Sequence, residues 1–147
     1  MEKTYEKNAW IILYGLGLLA LFLGFVAFVT YSTDALVTEN LTGMTWEDLQ
    51  SNILGIGDLV NVLYRAMGVA VIVYSVLFLI IMHKGYRKGE LWSWYAAWTM
   101  PIYLITTGIV NSLGSGEVSV WGILIFSWAG LAILGLVLPF RNFFPKK

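Results

Sequence analysis

The chain has 147 residues, of which 59% are hydrophobic and 12% charged, and its mean hydropathy is +0.75. Soluble domains carry about 25% charged residues, so this chain has too few to cover a surface that faces water. The balance of nine Lys and Arg against nine Asp and Glu excludes a basic nucleic-acid-binding domain, and the lack of cysteine excludes disulfides and thiolate metal sites.

Four apolar stretches are each long enough for a membrane-spanning helix, which needs about 20 residues to cross about 30 Å of hydrocarbon. Only the second contains a charge, Arg65. Because no segment remains for a separate soluble unit, the sequence predicts a single integral membrane domain over residues 1–147, an all-α bundle of four transmembrane helices. The predicted spans cover about residues 9–31, 59–82, 91–113 and 118–140.

The orientation follows from the basic residues, which concentrate in cytoplasmic loops of membrane proteins. Eight of the nine lie in the N-terminal segment, in the connection between the second and third spans, and in the C-terminal segment. The other two connections carry only acidic charges. This distribution predicts a multi-pass protein of the plasma membrane with both termini in the cytoplasm.

The first outer connection, about residues 32–57, contains a helix signature. Thr45 followed by Asp48 matches a capping box, and Trp46, Leu49 and Ile53 recur at helical spacing. We predict a short amphipathic helix over about 46–54, either a lid that seals the bundle or one that gates a ligand. The triplet that begins at Asn40 has the pattern for glycosylation and leaves open whether Asn40 carries a glycan.

Small residues on the first span predict a helix-packing face. Lipid gives helices no hydrophobic reason to associate, so close contact needs small side chains. The face meets either another helix of this chain or another subunit. It consists of Gly17, Ala20, Gly24 and Ala27.

Arg65 suggests a functional site, because an arginine at mid-membrane costs about 2.5–3.5 kcal/mol on insertion scales and usually has a partner. Polar residues of the second, third and fourth spans are predicted at similar depth, around an outward-facing pocket. One hypothesis is that this pocket binds an anion or a small lipophile, and a second is that it catalyses a reaction. The third is that Arg65 has no ligand, extends its charged group to the membrane surface and holds the outer loop in place. The candidate residues are Asp58, Asn61, Arg65, Tyr103, Thr107, Asn111 and Glu117.

Two sequence patterns carry a family resemblance. Leu63-Tyr64-Arg65 is followed by Gly68, and the next connection reads Gly85-Tyr86-Arg87-Lys88-Gly89-Glu90 and continues into Leu91-Trp92-Ser93-Trp94-Tyr95. Over its second and third helices the chain resembles uncharacterised prokaryotic four-helix integral membrane proteins of the broad DoxX-like kind. The resemblance implies a four-helix bundle and no particular activity.

We weigh three functions. A non-catalytic accessory or scaffold subunit of a larger membrane complex is favoured by the small size and the small-residue faces. A module that binds a lipophile or an anion around Arg65 is the alternative. An enzyme is disfavoured, because the sequence lacks a Ser-His-Asp set, paired intramembrane carboxylates and a metal cluster. The expected partners are membrane lipids and either other membrane subunits or a second copy, with no cofactor and no nucleic acid.

The predicted orientation is testable by proteolysis of sealed cells. A protease added outside should cut only within about residues 32–57, because this is the only long outer connection. Peptide mapping by mass spectrometry locates the cuts, and lysed cells provide the control in which the basic connection also becomes accessible. Cleavage between Lys84 and Glu90 in intact cells would contradict the orientation.

Overall fold

The computed structural model describes residues 8–30, 39, 41–115 and 120–144, and these contain helices and no strand. A 3₁₀ turn at Tyr86–Lys88 joins the third and fourth helices. The helices are α1 (Trp10–Val29), α2 (Trp46–Asn52), α3 (Ile56–Lys84), α4 (Leu91–Ala97), α5 (Thr99–Ser115), α6 (Val120–Val137) and α7 (Phe140–Phe143).

Three helices of the described residues are long and apolar enough to cross a membrane: α1, α3 together with its 3₁₀ turn, and α6. The stretch predicted as the third span is instead divided at Trp98 into α4 and α5. Pro101 explains the break, because it has no N–H to donate to the carbonyl of Ala97 and its ring crowds that carbonyl. The hydroxyl of Thr99 donates to the neighbouring carbonyl of Ala96 at 2.8 Å.

Glycines hold α1 and α3 together as an antiparallel pair. A Cβ atom added to Gly17 would lie 2.9 Å from the side chain of Leu79, and one added to Gly24 would lie 3.0 Å from that of Val71. On α3, a Cβ at Gly68 would lie 2.7 Å from a backbone nitrogen of α1. The two backbones are therefore close enough that only glycine fits at these positions without a shift.

A second pair, α5 and α6, packs against the first through α1. Gly108 of α5 lies against the ring of Phe126, and Gly135 of α6 lies against the side chain of Leu13. The buried core concentrates at the end of the bundle that contains Tyr86, here called the Tyr86 end. Its members are Leu13, Leu16, Phe78, Met82, Tyr86, Ala97, Met100, Leu104, Ala129, Ala132, Leu136 and Phe143.

At the opposite end, α3 extends beyond the other long helices. Counting along the helices from the glycine contacts, Val29, Val120 and Ser115 lie at about one level, opposite Met67 of α3. The eleven residues Ile56–Ala66 lie beyond that level, and at 1.5 Å per residue they extend about 16 Å. We call Ile56–Ala66 the protruding segment.

The short helix α2 packs against α3 and lies where the sequence predicts a helix, ending two residues earlier. The hydroxyl of Thr45 accepts a hydrogen bond from the backbone N–H of Asp48 at 3.2 Å and donates to its carboxylate at 2.7 Å. Leu49 is the buried residue of this helix. Gly55, with φ of 79°, makes the turn into α3 that other residues rarely adopt.

Replacing Gly68 by alanine tests the α1–α3 contact. The new methyl group would meet backbone atoms of α1 below 3.0 Å, so the helices must separate, at a cost of about 1–3 kcal/mol. Gly15→Ala is the control, because a Cβ there meets nothing within 4 Å. Unfolding by titration with a denaturing detergent should show a loss of stability for G68A and none for G15A; equal stability of the two would contradict the packing.

Candidate functional site

Arg65 lies on the protruding segment, at the end of the bundle rather than deep within it. Gly68 is level with the last turn of α1, and Arg65 is almost one helical turn further out. Its side chain is exposed, and Nε donates to Oδ1 of Asn61 at 3.0 Å. Asp58, two turns before Arg65, is also exposed. The long arginine side chain can therefore reach water without crossing the bundle.

The predicted pocket residues fall into two groups. Asp58, Asn61 and Arg65 lie on the protruding segment. Tyr103 and Thr107 line a cavity between the helices, to which Arg65 does not contribute. Asn111 is not among the lining residues; it is half-buried and donates from Nδ2 to the carbonyl of Thr107 at 3.1 Å. Glu117 lies outside the described residues.

The cavity has a volume of about 150 Å³ and lies where α1, α3, α5 and α6 meet. Among the described residues, the lining comes almost entirely from hydrocarbon and aromatic side chains, and no charged residue contributes to it. The lining residues are Leu16, Leu19, Ala20, Leu23, Val71, Met100, Tyr103, Leu104, Thr107, Trp121, Ile125 and Trp128.

The predicted helix-packing face of α1 is shared between α3 and this cavity. Gly17 and Gly24 lie against α3, Ala20 lines the cavity, and Ala27 is half-buried. The smallness of Ala20 was the feature in the sequence that could have indicated a cavity. The two lining tryptophans, Trp121 and Trp128, gave no such indication.

The helices α3 and α5 make few close backbone contacts, and aromatic side chains bridge them beside the cavity. The rings of Tyr74 and Tyr103 lie 5.2 Å apart, and the hydroxyl of Tyr74 donates to that of Thr99 at 3.3 Å. We call this boundary the α3–α5 seam. The break between α4 and α5 therefore lies beside the α3–α5 seam, because Thr99, the first residue of α5, accepts the hydrogen bond from Tyr74.

At the Tyr86 end, two aromatic side chains cap the last turn of α6. Pro139 has no N–H for the carbonyl of Gly135, four residues earlier. The hydroxyl of Tyr86 donates to that carbonyl at 2.7 Å, and Nε1 of Trp94 donates to the carbonyl of Leu136 at 3.1 Å. Side chains from a distant part of the chain thus satisfy carbonyl groups that a helix end leaves unpaired.

The aromatic residues around this cap pack on one another. The ring of Trp94 makes edge contacts with Trp98 and Phe144 at 5.7 and 5.2 Å, and the guanidinium of Arg87 lies over the ring of Trp10 at 5.2 Å. The one histidine, His83, is exposed at the end of α3, and the described residues contain no group of three His, Asp or Glu side chains placed to hold a metal ion.

No protein-family model, curated protein or solved structure matches the chain. The resemblance to DoxX-like proteins therefore stays a prediction.

The cap on α6 is testable by replacing Tyr86 with phenylalanine. The ring contact with Phe143 at 4.8 Å is retained, but the buried carbonyl of Gly135 loses its donor, which costs about 1–3 kcal/mol. The unfolding free energy in detergent should fall by this amount. Tyr95→Phe, at an exposed site, should have no effect.

A second substitution tests the cause of this loss. Pro139→Ala restores an N–H that can reach the carbonyl of Gly135, so Y86F should cost less in the P139A background than in the natural chain. A double-mutant cycle measures the difference. An equal cost of Y86F in both backgrounds would show that the proline does not create the need for the tyrosine.

Proposed function

We propose that the chain is a non-catalytic accessory subunit that packs against another membrane protein through one face of its protruding segment. The observation that supports this is the exposure of Leu59, Val62 and Leu63, each more than half exposed, on a helix that extends beyond the rest of the bundle.

These three residues lie at helical spacing and form one apolar side of the protruding segment. Asn61 and Arg65, joined by their hydrogen bond, lie on another side. The segment is therefore amphipathic in cross-section.

Lipid tails cover this apolar face poorly. The 20 residues of α1 span about 30 Å, which matches the hydrocarbon core. The protruding segment begins where α1 ends, so its aliphatic side chains lie among headgroups or in water. Full burial of one such side chain is favourable by about 1.5–3 kcal/mol, and an apolar helix of a partner protein would supply that burial.

The same proposal includes the complete topology. We infer that α4 and α5 cross the membrane together as a fourth span and that both termini are cytoplasmic. Lys84, Arg87 and Lys88 lie at the Tyr86 end, while Asp58 lies toward the opposite end, as the distribution of cations in cytoplasmic loops requires. The protruding segment then faces outward. The alternative of an anion pocket is less well supported, because Arg65 is exposed and apart from the cavity.

Site-directed crosslinking in native membranes tests the proposed partner surface. The chain has no cysteine, so Leu63→Cys can carry a photoreactive benzophenone at one position only. Phe22→Cys is the matched control. Phe22 is as exposed as Leu63, but it lies on the outer surface of α1 at a level where the other long helices are also present, so lipid tails cover it. Illumination should join L63C, and not F22C, to a distinct second protein, identified by mass spectrometry.

Two other results of the crosslinking experiment would contradict the proposal. A product of twice the chain mass would identify the partner as a second copy, which contradicts an accessory role in a mixed complex. Lipid adducts alone at both positions would show that no protein covers the protruding segment and would overturn the proposal.

A further inference from the structure

We propose that the cavity between α1, α3, α5 and α6 is a binding site for one hydrocarbon chain, which enters from the bilayer through the α3–α5 seam. The cavity volume of about 150 Å³ equals that of an apolar cavity able to hold benzene, so it accommodates a segment of an acyl or isoprenoid chain. This inference does not depend on the accessory role proposed above.

The chemistry of the lining selects hydrocarbon. Of the side chains that the structure describes, no charged one lines the cavity, and Tyr103 and Thr107 contribute the only hydroxyl groups. A charged ligand would lose its hydration without gaining a partner, and water needs two to four polar partners to occupy such a space. An empty cavity forfeits the dispersion contacts of its lining, whereas a methylene chain restores them.

The packing of the helices indicates where the chain enters. Glycine contacts close the α1–α3 boundary at Gly24, the α5–α6 boundary at Gly108 and the α1–α6 boundary at Gly135. The α3–α5 seam is instead bridged by Tyr74 and Tyr103. Side chains change rotamer much more readily than packed helices separate. A hydrocarbon chain can therefore enter through this seam when the two tyrosine rings rotate, without any separation of the helices.

Photolabelling in liposomes tests the site. The full chain is reconstituted with a phospholipid that carries a diazirine midway along one acyl chain, illuminated, and mapped by mass spectrometry. Met100 lines the cavity and is 1% exposed, whereas Met82 is 0% exposed and does not line it. Only a chain inside the cavity can therefore reach Met100, and its labelling should exceed that of Met82 several-fold.

Filling the cavity provides the matched variants. Ala20→Leu adds carbon atoms to the lining and should reduce the labelling of Met100 several-fold, while Ala70→Leu makes the same change on an exposed face of α3 and should not. Thr107→Leu fills the cavity from α5 and replaces A20L if that variant fails to fold, as judged by its elution profile. Equal labelling of Met100 and Met82 in the natural chain, both with this phospholipid and with a diazirine fatty acid, would overturn the site.

A second probe, a diazirine fatty acid, distinguishes the source of the chain. Labelling of Met100 by both probes supports occupation by bilayer lipid, and labelling by the fatty acid alone supports the same site with a free lipophile as its ligand. The partner crosslinking at Leu63 is unaffected by either result, so a failure here is distinguishable from a failure of the accessory role.

The entry route is tested on the double variant Tyr74→Cys, Tyr103→Cys. Bridging the two thiols with a reducible bifunctional reagent should abolish the labelling of Met100, and reduction of the bridge should restore it in the same sample. Labelling that persists in the bridged protein would overturn the route through the α3–α5 seam.

Discussion

The close approach of α1 and α3 is the contact on which the other features of this protein depend. In a bilayer the hydrophobic effect does not drive helices together, so their association relies on backbone proximity and dispersion contacts. Gly17, Gly24 and Gly68 permit that proximity and fix the register of the two helices. This register decides how far α3 extends past α1, and therefore the height of Arg65 and the presence of an apolar surface beyond the bundle.

The two ends of the bundle differ in how completely they are packed. At the Tyr86 end, aromatic side chains and the last turn of α6 close the core through hydrogen bonds and ring contacts. Away from that end, the cavity lies where α1, α3, α5 and α6 meet. The described core is therefore packed most completely at the Tyr86 end, and the space between the helices lies away from it.

Apolar length and capping chemistry predicted α1, α3, α6 and the short helix α2, because these properties are local. The helix break near Pro101 has a local cause as well, although hydropathy alone shows a continuous span. The depth of Arg65 was not predictable, since it depends on the register between two helices that are distant in sequence. The cavity as a whole likewise could not be foreseen, because four helices contribute its lining. Of the residues that the sequence singled out, Ala20 from the packing face and Tyr103 and Thr107 from the candidate pocket line it.

The hydrogen bond from Tyr86 to Gly135 joins residues that lie 49 positions apart. During synthesis the tyrosine is made well before its acceptor exists. Its hydroxyl can form this hydrogen bond only after α6 has been synthesised and has packed against the other helices. A chain interrupted before Gly135 lacks the acceptor carbonyl. The bond thus makes the docking of α6 a condition for satisfying this carbonyl, so chains interrupted before Gly135 differ physically from those that contain α6.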